Sequence, residues 1–395
     1  MATTEEIVRQ RYSSAAGRRE EALCCPTGYD ASDLESFIPE EVMKISYGCG
    51  SPAGIGHIRP GETVVDIGSG GGIDCFDALR RTGGSGRVIG VDMTDEMLAV
   101  ARKNAPAVAE NLGHDEVRVD FRKGLADDLP VEDGTVDLVI SNCVINLTPD
   151  KDRVFGEIFR VLRPGGRFCI SDIVADQSVP NYLLHDPDKW GACLSGALPM
   201  RDYLDGLNRA GFLGLTQEKF TPWQAIDGIH FISVTLLGHK MEDGGGEGES
   251  ENVEVIFQGP FSAVRDELGN EYERGVRRTV DGKTARVLGL PGYRGLFEGA
   301  VRQQGEAPLG GTAPELPESG PCVWQGRFAL LGGPFLRAED DDGHAFHRGE
   351  ALEICSKTRK VLEHPHYAPL FGILDRAGTE TPGAEACCAP ADNCG

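Results

Sequence analysis

"VVDIGSGGG", residues 64–72, sets the architecture, because it places spaced glycines between an apolar run and a helical pattern. Gly68, Gly70 and Gly72 allow the backbone to turn tightly and to approach a ligand closely. The next apolar run, "VIGVDM", ends in a second acid, Asp92, about 20 residues downstream, where an acid suits a ribose diol. The stretch predicts a nucleotide-type cofactor site after a buried strand, although glycine loops of this kind are shared with dinucleotide enzymes.

Short apolar runs alternate with helical patterns between about residues 62 and 175. The runs are almost continuously apolar, which is typical of strands covered on both faces. This alternation predicts right-handed βαβ crossovers, a parallel sheet and the α/β class. The predicted strands are TVVDIG (63–68), RVIGVD (87–92), VRVDF (117–121), VDLVIS (136–141), RFCISDIV (167–174) and HFISVTLLGHK (230–240). The predicted helices are residues 73–83, 95–113, 152–166 and 200–212.

The composition limits the class of partner. The chain has 395 residues, with 39 Lys and Arg against 62 Asp and Glu, and a formal net charge of −23. Such a balance disfavours nucleic acids and anionic membranes, because their phosphates need cationic partners. No apolar stretch is long enough to span a bilayer, and the first residues lack the apolar core of a secretory signal. We therefore expect a cytoplasmic protein without a nucleic-acid or membrane partner.

The chain contains twelve cysteines and no CxxC pair. In a reducing compartment, metal binding or catalysis is a more usual role for cysteine than a disulfide framework. Cys143, in "SNCVINLTPDK", lies at the carboxyl end of a predicted strand, the side on which open α/β sheets bind ligands. Cys49 in "YGCGSP" and Cys193 in "WGACLSGAL" have glycine and apolar neighbours. Their separation along the chain does not say whether the three sulfurs meet.

The order of motifs DxGxGxG, V-D-M, "KGLADDLP" and "LRPGG" resembles the class I S-adenosylmethionine methyltransferases over about residues 60–175. The resemblance implies a Rossmann-like sheet and S-adenosyl-L-methionine as cofactor. By this resemblance the methionine part of the cofactor lies on the glycine loop, the ribose and adenine edge on the V-D-M motif, and the adenine amine on "KGLADDLP". The residues predicted to bind the cofactor are Asp66, Gly68, Gly70, Gly72, Asp92, Met93, Asp127 and Asn142.

"YGCGSP", "SNCVINLTPDK", "FRVLRPGG" and "GACLSGAL" together resemble the arsenite methyltransferases, roughly over residues 20–240. "ICSKTRKVLEHPHY" also resembles the accessory domain of that family. The resemblance implies that Cys49, Cys143 and Cys193 hold trivalent arsenic as thiolates. It also implies that a fourth thiol, from the pair Cys24–Cys25, takes part in a redox cycle; Cys25 is preferred, and Cys24 stays open.

The chemistry of arsenic agrees with these residue types. Soft thiolates suit a thiophilic ion, and trivalent arsenic bound by three sulfurs keeps a lone pair on its open side. The family resemblance implies methylation of arsenite and methylarsenite, as thiol conjugates, to mono- and dimethylated products for detoxification. It further implies that protein thiols reduce the pentavalent product and that glutathione or thioredoxin reopens the resulting disulfide.

Other interpretations stay open. The enzyme could be selective for methylarsenite, aromatic arsenicals or antimonite, or the protein could bind arsenic without turnover. Cysteines in "CCAPADNC", near residue 390, could capture arsenic or be incidental. Packing alone explains four further cysteines: Cys75, Cys169, Cys322 and Cys355.

The sequence predicts six segments, and no internal repeat is apparent. A Gly- and Glu-rich linker separates a methyltransferase part from a smaller α+β accessory domain. The predicted segments are an N-terminal helical segment with the cysteine pair (1–44), a cofactor-binding domain (45–180), an arsenic-binding cap region (181–240), the linker (241–251), the accessory domain (252–375) and a cysteine-containing tail (376–395).

Overall fold

The chain forms two compact units in a computed structural model. Unit 1 holds residues 1–212 and 218–241, and unit 2 holds residues 213–217 and 242–395. The residues that the structure describes are 4–15, 31–48, 50–184, 194, 196–242, 252–299, 324–365 and 367–375. The Cys24–Cys25 pair, most of the predicted linker and the predicted tail lie outside them.

Unit 1 is built on a seven-stranded sheet with the strand order β3-β2-β1-β4-β5-β7-β6. Its central strands are buried along nearly their whole length, as their continuous apolar runs require. The strands are β1 (Thr63–Ile67), β2 (Arg87–Asp92), β3 (Val119–Lys123), β4 (Val136–Asn142), β5 (Leu162–Ala175), β6 (Leu213–Ile226) and β7 (Ile229–His239).

Helices connect the parallel strands and cover the sheet. The longest, α6, has acidic residues in its first turn, and their negative charges interact favourably with the positive end of the helix dipole. The helices of unit 1 are α1 (Thr4–Ala15), α2 (Ala31–Leu34), α3 (Glu40–Lys44), α4 (Pro52–Ile55), α5 (Ile73–Thr82), α6 (Asp95–Asn111), α7 (Lys151–Val161), α8 (Asn181–Leu184) and α9 (Met200–Arg209).

The α/β class and the five predicted strands from β1 to β5 are confirmed, and these strands pair in parallel. β7 pairs with β5 in the antiparallel sense, so the sheet is mixed rather than wholly parallel. β6 was not predicted, because its sequence contains a proline, two charged residues and further polar residues.

The prediction that the seventh helix continues to Gly166 is wrong. The Asp150 carboxylate caps the start of α7 by accepting the Arg153 N–H at 3.0 Å. The helix ends at Val161, and Leu162 is already extended. The reason is Pro164, which has no N–H to donate and restricts the residue before it. Among the described residues, no helix combines the length and apolar character needed to cross a bilayer.

The described part of unit 2 is α+β and consists of short strands with two short α-helices. Its strands form a four-stranded and two three-stranded sheets. The strands are β8 (Val253–Phe257), β9 (Ala263–Arg265), β10 (Glu271–Glu273), β11 (Arg277–Val280), β12 (Phe297–Glu298), β13 (Trp324–Leu331), β14 (Arg337–Glu339), β15 (Ala345–His347), β16 (Ala351–Cys355) and β17 (Phe371–Asp375). The helices are α10 (Gly282–Leu288) and α11 (Ser356–Leu362).

Unit 2 contains an internal duplication, so the expectation of no repeat is wrong. Residues 257–288 align without a gap on residues 331–362, and elements occur in the same order in both. β9 and β14 pair antiparallel about Val264 and Ala338, which are equivalent positions, so the two copies are related by a local two-fold axis. The shared residues include GPF (259–261 and 333–335), Asp266 and Asp340, Gly269 and Gly343, RG (274–275 and 348–349), and VL (287–288 and 361–362).

Each copy supplies the same contacts to the other. The Tyr293 hydroxyl donates to the Pro334 carbonyl at 3.0 Å, and the equivalent Tyr367 hydroxyl donates to the Pro260 carbonyl at 3.1 Å. Two ion pairs also cross between the copies: Arg274 with Asp341 at 2.6 Å, and Arg348 with Glu267 at 3.1 Å. We call this contact between residues 253–298 and 327–372 the copy seam.

Candidate functional site

The glycine loop after β1 has the backbone that only glycine adopts readily. Gly68, Gly70 and Gly72 have φ values of 75°, 50° and 97°. The Gly70 N–H donates to the Asp92 carboxylate at 2.9 Å, and the Thr94 N–H donates to its other oxygen at 2.8 Å. Asp92 therefore ties the end of β2 to the loop after β1, and its oxygens retain lone pairs for a ligand.

A pocket lies at the carboxyl ends of β1, β2 and β4. Six of the eight predicted cofactor residues line it together with Cys143. Asp66 and Gly72 lie outside the lining: Asp66 is buried and accepts the Cys75 thiol at 3.2 Å, and Gly72 precedes the first residue of α5. The predicted residues that line the pocket are Gly68, Gly70, Asp92, Met93, Asp127, Asn142 and Cys143.

The pocket is acidic. Burial raises the pKa of Asp66 well above its usual range, and the negative charges of Asp74 and Asp92 raise it further. Burial also raises the pKa of Asp92. A group of buried carboxylates with this mutual repulsion favours a cationic ligand over an anionic one such as a pyrophosphate.

Asp74 lines the pocket, and the sequence analysis missed it. It stands in the first turn of α5 and is 4% exposed. An acid in a first helical turn is ordinarily explained by the helix dipole. Its position two residues after the last loop glycine was the available signal.

Cys143 occupies a strained position directly after β4. Its φ is 57°, in the left-handed region that non-glycine residues rarely adopt, and the residue is 7% exposed. The Cys143 N–H donates to the Ser171 carbonyl at 2.8 Å, which holds the turn against β5. Strain of this kind is retained where the surrounding structure over-determines the conformation, often at functional sites.

The described cysteines are of two kinds, one in a disulfide and three with free thiols. Cys143 is disulfide-bonded, whereas Cys75, Cys169 and Cys355 are buried free thiols. Burial raises the pKa values of Cys75 and Cys169 well above the usual thiol range, which keeps them protonated and unreactive.

A buried carboxylate supports the turn that follows Cys143. Asp172 in β5 accepts the Asn146 N–H at 3.2 Å and the Ile173 N–H at 2.9 Å. Burial raises the pKa of Asp172 to about 7, against the opposing effect of these hydrogen bonds. The protonation of a group beneath the site therefore changes near neutral pH.

The remaining predicted cysteines lie outside the described residues: Cys24, Cys25, Cys49 and Cys193. The neighbours of position 49, Gly48 and Gly50, are described and buried. Gly50 forms hydrogen bonds with Asn142, the residue before Cys143. Their assignment as arsenic ligands or redox partners stays a prediction.

Two domain families match the chain. The family described as "Methyltransferase domain" matches residues 58–228. The family described as "Domain of unknown function (DUF8838)" matches residues 246–309 and 318–393. The first match covers strands β1 to β6 and most of the pocket lining, and the second covers both copies in unit 2.

Two curated arsenite methyltransferases and one crystal structure are similar to this chain. The protein from Halobacterium salinarum is 42% identical over 268 residues, 60% of this chain and 66% of that protein. The protein from Rattus norvegicus is 35% identical over 268 residues, 64% of this chain and 71% of that protein. The chain thus spans about two thirds of the length of these relatives.

The crystal structure is that of an arsenic(III) S-adenosylmethionine methyltransferase from Chlamydomonas reinhardtii. It has a TM-score of 0.50 and 26% identity, and covers 89% of this chain and 98% of that one. Because a relative at 35% identity is matched over more than two thirds of its length, the chain belongs to the arsenite methyltransferase family.

Proposed function

We propose that the protein transfers a methyl group from S-adenosylmethionine to trivalent arsenic, converting arsenite to mono- and dimethylated arsenicals. The observation that carries the proposal is that one pocket joins an acidic glycine loop to Cys143, a buried cysteine in a strained turn. Membership in the arsenite methyltransferase family supports the substrate class. Detoxification of arsenic is the role that such an activity would serve.

S-adenosylmethionine fits the pocket by charge and by shape. Its sulfonium and ammonium groups are cationic and suit Asp74 and Asp92, and Gly68 and Gly70 permit close backbone approach. Asp92 can accept the ribose hydroxyls, and Asp127 can accept the adenine amine. The cofactor supplies a methyl group and keeps the electron pair of the broken carbon–sulfur bond on its own sulfur.

We assign the arsenic to the thiolates of Cys49, Cys143 and Cys193. The protein then orients the substrate: three sulfurs leave the arsenic lone pair on the open side, and that pair forms the new arsenic–carbon bond in line with the methyl group. No proton is removed in this step, so a general base is not required of the protein.

Bond formation oxidises arsenic formally from the trivalent to the pentavalent state. Two protein thiolates return two electrons by forming a disulfide, with Cys25 or Cys24 as the additional thiol. Glutathione or thioredoxin then reduces that disulfide by thiol exchange.

The test is an assay of the purified, reduced protein with arsenite, glutathione and methyl-labelled S-adenosylmethionine, with arsenic species separated. We expect labelled methyl- and dimethylarsenicals from the wild type and a loss of at least about 100-fold in rate for Cys143→Ser. Cys355→Ser is the control, because Cys355 is a buried free thiol at the start of α11, where serine is a favoured cap.

Full activity in Cys143→Ser would refute the proposal. Labelled product from methylarsenite but not from arsenite would change the substrate to methylarsenite. Arsenic binding without any labelled product would make the protein a binder rather than an enzyme.

A further inference from the structure

The backbone beside position 49 is held by one side chain from β4. The Gly50 N–H donates to Asn142 Oδ1 at 3.2 Å, and Asn142 Nδ2 donates to the Gly50 carbonyl at 2.8 Å. The amide thus satisfies both polar groups of one residue, as a neighbouring strand would. Asn142 is 6% exposed, so these hydrogen bonds are shielded from water.

Close packing on both sides of position 49 explains its two glycines. A Cβ atom on Gly48 would lie 2.5 Å from Asn142 Nδ2. A Cβ atom on Gly50 would overlap the Ser171 hydroxyl, which is itself hydrogen-bonded to Thr235 at 2.9 Å. Asn142 precedes Cys143, and the Ser171 carbonyl accepts the Cys143 N–H. Gly48 therefore packs closely against β4 and Gly50 against β5, the two strands next to Cys143.

The same amide also reaches the cofactor pocket. Asn142 Nδ2 donates to Asp74 Oδ2 at 3.0 Å, and both residues line the pocket. A single side chain thus joins three features: the Gly50 backbone, the acid at the start of α5, and the strand that leads into Cys143. The three are distant in sequence, so the fold alone brings them together.

We propose that Asn142 is a positioning residue: it holds the Gly50 backbone and packs against Gly48, and so fixes the chain on both sides of position 49 against the strand that leads into Cys143, which preorganises the arsenic ligand predicted at that position. The arsenic part of this inference rests on the function proposed above, whereas the positioning of the thiols does not. Preorganised ligands lose less conformational freedom on binding, so arsenic affinity depends on the hydrogen bonds of Asn142. Asn142 acts through Gly50 and Asp74 rather than on the reacting atoms.

The first experiment measures the positioning without arsenic. The full-length protein is equilibrated in glutathione redox buffers, where two thiols and one oxidised glutathione give one protein disulfide and two reduced glutathiones. Peptide mass spectrometry then gives the equilibrium constant for the Cys49–Cys143 disulfide, which reports the effective concentration of the two thiols. We expect Asn142→Ala to lower this constant at least tenfold.

Two further variants test the same contact. Gly48→Ala forces a methyl group against the Asn142 amide and should lower the constant in the same direction. Asn104→Ala is the matched control, because Asn104 is 7% exposed and its amide bonds to the Val100 carbonyl and Glu41, away from the pocket lining. The control should change the constant less than twofold.

The second experiment separates substrate binding from cofactor binding. Asn142→Ala should raise the KM for arsenite at least tenfold, and because Asn142 also donates to Asp74 in the pocket, the dissociation constant of S-adenosylmethionine should rise as well, by a smaller factor. A general loss of folding would move both values and the melting temperature, and Asn142→Asp, which keeps the acceptor for the Gly50 N–H, is then measured instead.

The outcomes are distinct. A disulfide constant unchanged in both Asn142→Ala and Gly48→Ala overturns the positioning role, whatever the wild type does with arsenite. A lowered constant in these variants, with a wild type that transfers no methyl group, supports the positioning role and overturns the proposed function.

Discussion

The pocket of unit 1 and the copy seam of unit 2 differ in what surrounds their buried carboxylates. Asp74 and Asp92 line the pocket, and their negative charges add to burial in raising the pKa of Asp66, which is buried outside the lining. In the copy seam, the two acids that form ion pairs between the copies face arginines: Glu267, whose side chain is 0% exposed, faces Arg348, and the exposed Asp341 faces Arg274.

Backbone strain follows the same division. Among the described residues, the non-glycine residues with a left-handed φ are His57, Cys143 and Asp227, all in unit 1. In the described part of unit 2, left-handed residues are glycines, such as Gly269 and Gly343 at equivalent positions. Neighbouring carboxylates that repel one another, and backbone strain such as that at Cys143, cost stability and are often retained at functional sites. In unit 2, the ion pairs of the copy seam and the glycine turns stabilise the fold.

The largest expected effect comes from the buried pair of the copy seam. Arg348→Met removes a buried cation from beside Glu267, whose side chain is 0% exposed, and should lower the free energy of unfolding by about 3–5 kcal/mol. Urea unfolding followed by circular dichroism measures this. A loss below about 1 kcal/mol would mean that the buried pair resembles a surface pair, and the contrast with the pocket would fail.

The second prediction concerns Asp172, the buried acid beneath Cys143. Its folded pKa of about 7 lies above the usual 3.8, so the folded protein binds more protons than the unfolded chain between these values. The resulting stability is full below about pH 4 and is lost as the pH rises through 7. Asp172→Asn should therefore raise the free energy of unfolding by about 2–4 kcal/mol at pH 8 and little at pH 4. An equal gain at both pH values would contradict the raised pKa.

The third prediction tests the charge of the pocket. Asp74→Asn keeps the acceptor for Asn142 and removes one negative charge from the lining. The dissociation constant of S-adenosylmethionine should rise about tenfold, or ~1.4 kcal/mol. That of S-adenosylhomocysteine should rise less, because its sulfur carries no charge. Calorimetric titration of both ligands measures the difference, and equal losses would argue against a role for the sulfonium charge.

The smallest effect is expected at the exposed partner of the seam. Arg274→Met removes the equivalent of the Arg348 pair, but here the two side chains are 35% and 43% exposed. Water screens such a pair, so the loss should be about 0–1 kcal/mol. Arg274 and Arg348 are related by the local two-fold axis, so comparing the losses in unfolding free energy of Arg274→Met and Arg348→Met isolates the effect of burial. Equal losses at the two positions would show that burial is not the cause.

Much of unit 1 follows from local sequence. The apolar runs predicted strands β1 to β5, and the loop glycines and V-D-M motif predicted residues that line the pocket, Asp92 and Met93 among them. Asp74 was missed because a first-turn acid has an ordinary explanation, and β6 because its pattern is interrupted by polar residues and a proline. The roles of Cys49 and Cys193 remain predictions, since these residues lie outside the described part of the chain.

The duplication in unit 2 shows the limit of reading the sequence. Its shared residues are few and spaced, such as Asp266 with Asp340 and Tyr293 with Tyr367, so the repeat is weak as a pattern. The symmetric pairing of β9 with β14 and the reciprocal tyrosine hydrogen bonds make it evident.

The amino-acid sequence specified the strands, the glycine turn and the placement of Cys143 at a strand end, because burial and backbone sterics act over a few neighbouring residues. It did not specify that Asn142 would hold Gly50, which lies 92 residues away, and also reach Asp74. Such contacts depend on how the sheet and helices close around one pocket, and many side chains can satisfy the same local pattern. The tertiary structure alone assigned these partners.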